Sequence, residues 1–153
     1  VLLLRGVLHQ HDHAADAGRD TYAWAGVVPF VAAALGACSP DLRSWATLGF
    51  IAYGACILSF LGGLRWGRGL VKSERAAPWA GSVWSSLVAT AAIVLAPSRP
   101  VVALGLLTVG FAAMGWQDVG DAGWPPDFRR LRRRLSFVVV GLHLALSALL
   151  LAR

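Results

Sequence analysis

Five apolar runs, at residues 22–37, 45–64, 79–96, 101–116 and 135–151, constrain this chain more than any other feature. A bilayer core of about 30 Å asks for about 20 helical residues per crossing, with about 17 to 25 the usual range. The runs therefore predict an all-α polytopic membrane protein, a five-helix transmembrane bundle over residues 21–153. The first and fourth runs are slightly short and must borrow interfacial residues. Pro29 interrupts the first run and predicts a kink, tolerable if a neighbour satisfies the freed carbonyl.

Composition agrees: 57% of the residues are hydrophobic and 14% charged, with a mean hydropathy of +0.62. A soluble domain carries about a quarter charged residues. With 153 residues there is room for one compact bundle and none for a soluble catalytic domain beside it. The net charge of +6 lies in clusters at the ends of the apolar runs, which marks topology and anionic headgroups and not nucleic acid. Residues 1–20 are too short in their apolar part for a secretory signal and read as a flexible polar leader. Cys38 and Cys56 sit at different depths and are expected to be small packing residues, not a disulfide.

Orientation follows from the basic residues. Eleven fall on the side holding the N-terminus: Arg5, Arg19, Arg65, Arg68, Lys72, Arg75, Arg129, Arg130, Arg132, Arg133 and Arg134. Only Arg43, Arg99 and Arg153 fall on the other. The expectation is N-terminus inside and C-terminus outside, in a bacterial inner membrane. Trp24, Trp66, Trp79 and Trp116 then all stand at the inner boundary.

The second run ends in "SFLGGLRWG", and stepping back by fours from Gly67 gives Gly63, Ser59 and Ala55. Such a small-residue face lets another helix approach closely in lipid, where no hydrophobic force drives association. Arg65 and Trp66 are expected where this helix leaves the hydrocarbon. The fourth run reaches the same surface at Asp118, so Arg65 and Asp118 are expected to pair, with Asp121 or Arg68 as substitutes.

His143 falls near the middle of the fifth run, with Ser147 one turn on. An intramembrane ionisable residue is a functional candidate by default. The plainer reading is a neutral imidazole bonded to a neighbouring helix, at Thr90 or a backbone carbonyl. Haem would need a second intramembrane ligand, and none is present. His9, His11, Asp12 and His13 lack the second cluster that a fixed metal site requires, so neither metal nor cofactor is expected. Arg129, Arg130, Arg132, Arg133 and Arg134 set the orientation of the last helix, or bind anionic lipid headgroups. No carboxylate pair, nucleophile set or phosphate loop is apparent, which argues against an enzyme.

Several blocks resemble the family known as domain of unknown function 3429, whose animal relative is transmembrane protein 69. They are "GVVPF" at Gly26, "YGACILSFLGGLRWG" from Tyr53, "SVWSSL" from Ser82, Gly110 and Phe111 followed by Asp118, and "LRRRL" from Leu131. Ser85 stands where the family has a proline, and "WPPDFRR" replaces a Trp-aromatic pair. The resemblance spans residues 22–140 and implies a small bacterial or mitochondrial inner-membrane protein.

Two functions fit these features. One is a non-enzymatic accessory or assembly subunit that packs against another membrane protein, or a second copy, through Ala55, Ser59, Gly63 and Gly67. The other is a small transporter or channel with a polar path near His143, Ser59 and Ser147.

Overall fold

The computed structural model describes residues 18, 20–72, 77–120 and 124–152. Residues 1–17, with His9, His11, Asp12 and His13, lie outside the described residues, as do Arg19, Arg75 and Asp121. The described chain is helical with no strand. Its main elements are α1 (Val28–Gly36), α2 (Arg43–Lys72), α3 (Ala77–Leu95), α4 (Pro100–Gly120) and α5 (Pro126–Leu151). By length and composition α2, α4 and α5 are long and apolar enough to cross a membrane, and Val83–Leu95 forms a shorter apolar helix.

The kink expected at Pro29 is a full break, placed one turn earlier. Residues 20–25 are helical, Gly26 and Val27 form a turn, and α1 starts at Val28 with Pro29 in its first turn. Proline lacks the N–H that would bond back to Ala25, and its ring crowds that carbonyl. The Gly26 carbonyl is satisfied from another helix: the Tyr53 hydroxyl donates to it at 2.9 Å. At the other end of α1, Arg43 Nε donates to the Ala37 carbonyl at 3.2 Å and closes the turn into α2.

Two breaks expected as long loops are largely helical. α2 does not end in "SFLGGLRWG" but continues to Lys72, and α5 begins at Pro126, so the arginine run lies on a helix. No proline interrupts residues 43–72. A glycine costs about 1 kcal/mol against alanine in a helix, less than stranding the last four carbonyls would cost at the edge of an apolar layer. Pro126 suits the first position of α5, where its missing N–H has no partner to lose. α3 runs unbroken through Ser85, which is fully buried. Neither cysteine is bonded, and both are exposed.

The core sits between α2 and α4, with α3 packed along both, α5 along α4 and α1 along α2. Phe50, Ile51, Leu58, Leu104 and Leu107 are fully buried in it, with Phe30 of α1 almost so. Two close approaches fall at glycines, where any larger residue would force a neighbour to shift. A Cβ on Gly110 would lie 2.6 Å from Leu58, and one on Gly115 would lie 2.6 Å from Ser136 Oγ. The first sets α4 against α2 and the second sets α4 against α5.

Candidate functional site

Among the described residues two ionisable side chains are buried, Asp118 and His143, and they are held differently. Asp118, near the end of α4, is 3% exposed. Arg65 of α2 donates through Nη1 to its Oδ1 at 2.9 Å. Arg132 of α5 donates to Oδ2 through Nε at 2.9 Å and also through Nη2. The arginine side chains are 17% and 13% exposed, so the cluster is largely withdrawn from solvent, where a charge pair counts for more than on a surface. One carboxylate thus joins three helices at one end of the bundle. Because Arg65 and Asp118 close their helices while Arg132 opens its own, α2 and α4 run toward that end and α5 runs away from it.

The structure brings Arg65 and Asp118 together as the sequence suggests, but Arg132 is the partner that reading misses. The signal was present in the helical phase. Leu131, Leu135, Val139, His143 and Leu146 form the buried stripe of α5. At about 100° per residue Arg132 falls inside that arc, whereas Arg130, Arg133 and Arg134 fall outside and are exposed. Arg68, the substitute considered for Arg65, instead lies over the Trp124 ring at 4.1 Å.

His143 is fully buried. Its Nδ1 donates to the Val139 carbonyl of its own helix at 2.8 Å. This corrects the expectation of a bond to a neighbouring helix: Thr90 donates to Ser86 one turn back along α3. The ring lies against Phe50 at 4.7 Å, Phe111 at 5.2 Å and Phe30 at 5.5 Å between centroids. Nε2 has no hydrogen-bond partner among the described residues, and a Cβ on Gly54 would come within 3.2 Å of it. Ser147, proposed to share a polar path with His143, donates into its own helix at the His143 carbonyl, 2.8 Å away.

The small-residue face of α2 is only partly buried. Ala55 is in the core and Ser59 is half-buried, but Gly63 and Gly67 are exposed, with nothing within 4 Å of a Cβ at either position. The reason is geometric: a step of four residues advances about 400°, so such a face drifts about 40° per turn around the helix. The residues facing the core are instead Thr47, Ile51, Gly54, Leu58 and Leu61.

A cavity of about 300 Å³ lies between the Gly26 break, α2 and α5. Phe30 and Phe111 separate it from His143, and Arg132 stands at its charged end. Among the described residues no group of three or more His, Cys, Asp or Glu side chains is placed to hold a metal ion.

The family model described as Protein of unknown function (DUF3429) matches residues 20–149. No curated protein and no solved structure matches the chain.

Proposed function

This chain belongs to the DUF3429 family of proteins of unknown function, and we propose that it is a non-enzymatic accessory or assembly subunit of an inner-membrane complex. In this reading the chain crosses the membrane five times, N-terminus inside, with the Asp118 cluster at the inner boundary and the basic residues of α5 beside it. α1 crosses with the help of the helical residues 20–25.

The observation that carries the reading is how the deep polar groups are used. Asp118 is clamped by Arg65 and Arg132, and His143 is enclosed by three phenylalanines with Ser147 turned back on its own helix. Groups fixed in this way hold helices together and do not line a path. The open stretch at Gly63 and Gly67 offers another membrane helix the close approach that packing in lipid needs.

The test is mild-detergent purification of the tagged protein from its native membrane, followed by mass spectrometry of what accompanies it. A stoichiometric membrane partner is expected, lost on Gly63→Leu and retained on His143→Phe. A monodisperse chain with no partner, together with loss of a solute flux on His143→Phe, would replace this reading with the transporter.

A further inference from the structure

We infer that the cavity beside α5 holds one acyl chain of an anionic phospholipid, with Arg132 receiving the phosphate. The inference rests on the bundle lying in a bilayer, and on observations at the cavity itself. Its volume, about 300 Å³, is at the lower end of small-molecule sites, which span about 300 to 1,000 Å³. Gly26, Phe30, Leu61 and Phe111 give it apolar walls, and Arg132 is the only charged residue that lines it among the described residues. From Phe128 to Val139 the lining stretch of α5 rises about 16 Å, so the space is elongated, with the cation one turn from its Phe128 end. A chain with an anionic head matches that shape and polarity.

Charge favours the same occupant. Asp118 neutralises one of the two guanidiniums it touches, leaving the cluster one positive charge in excess. Nε and Nη2 of Arg132 are committed to Asp118, so Nη1 remains for a phosphate oxygen. Arg129, one turn back on α5, is half-buried, and its Nε is buried with no acceptor among the described residues. Tyr22 and Phe60, both largely exposed, border the cavity where lipid tails would surround the bundle. Tyr22, Ala23, Gly26, Val27 and Phe30, spaced as one helical face, form the wall opposite α5.

Native mass spectrometry of the full chain, released from detergent and titrated with either phosphatidylglycerol or phosphatidylcholine, tests this directly. One phosphatidylglycerol is expected to bind about tenfold more tightly than phosphatidylcholine, which offers Arg132 the same phosphate but brings a choline cation against the excess positive charge of the cluster. Ala23→Phe, which fills the cavity and leaves the cluster intact, should remove that molecule. Arg132→Gln should abolish the preference between the two lipids, and Arg133→Gln, on the exposed face, should leave it unchanged. Equal affinity for the two lipids in the unaltered protein, or an equal loss with Arg133→Gln, would overturn the inference in favour of a diffuse basic surface. Displacement of the bound lipid by stoichiometric oleate would overturn it in favour of a free fatty acid, and a second copy of the chain filling the cavity would appear as a dimer lost on Ala23→Phe. Carbonate extraction of membranes separately tests the bilayer placement, since release of the chain would defeat that premise whatever lipid it binds.

Discussion

Two buried ionisable residues of this bundle, Asp118 at one end and His143 at mid-height, follow opposite rules. Asp118 is held by two other helices, and every hydrogen bond described for its side chain crosses between elements. Among the described residues the His143 ring bonds only within its own helix and meets its neighbours through aromatic rings. The difference reflects the chemistry of the groups. A buried carboxylate keeps its charge only with opposite charges at hand, and these must be brought in from elsewhere in the fold. An imidazole can remain neutral, satisfy one nitrogen locally and pack as an aromatic ring. The first arrangement fixes how three helices meet; the second fills a junction without specifying partners through charge.

The largest expected effect would break that comparison at the charged end. Asp118→Ala leaves two guanidiniums facing each other in a buried site, and the cost should be about 3 to 5 kcal/mol. Unfolding in mixed detergent micelles measures it, and a loss no greater than that of an exposed pair would show that the cluster does not tie the helices. Double-mutant cycles should find Asp118 coupled to both Arg65 and Arg132.

A smaller effect sharpens the contrast at mid-height. Gly54→Ala pushes a methyl group to 3.2 Å from both His143 Nε2 and Leu107 Cδ1, and overpacking of this kind costs about 1 to 3 kcal/mol. Gly63→Ala, on the open side of the same helix with nothing within 4 Å of the new Cβ, should instead stabilise the isolated protein, by up to about 1 kcal/mol. Equal effects at the two glycines in the same unfolding assay would mean that the His143 junction is loosely packed.

The smallest effect concerns the break before α1. Tyr53→Phe removes the donor to the Gly26 carbonyl and should cost about 1 kcal/mol. Hydrogen exchange at residues 20–31 should rise with it, while exchange around Asp118 stays unchanged.

Much of this was legible along the chain. The apolar runs place the helices because helix length follows from the thickness of an apolar layer, and Arg65 with Asp118 could be paired because two helices of like direction end at one surface. Arg132 was hidden in a run of five arginines, and separating it from Arg130, Arg133 and Arg134 needs the phase of α5 against its neighbours. The face chosen from spacing in fours led outward at Gly63 and Gly67. The glycines that admit a neighbouring helix closely are Gly54, Gly110 and Gly115.

By itself, then, the sequence determined an all-helical, apolar chain, the positions of its main helices and the end where its charges gather, because these depend on residues adjacent along one chain. Only the tertiary structure decided that Phe30, Phe50 and Phe111 enclose His143, that Arg132 completes the clamp on Asp118, and that a cavity lies between residues 22–30 and α5. Each of those depends on the rotation and depth of one helix against another, which close packing of side chains across the bundle sets.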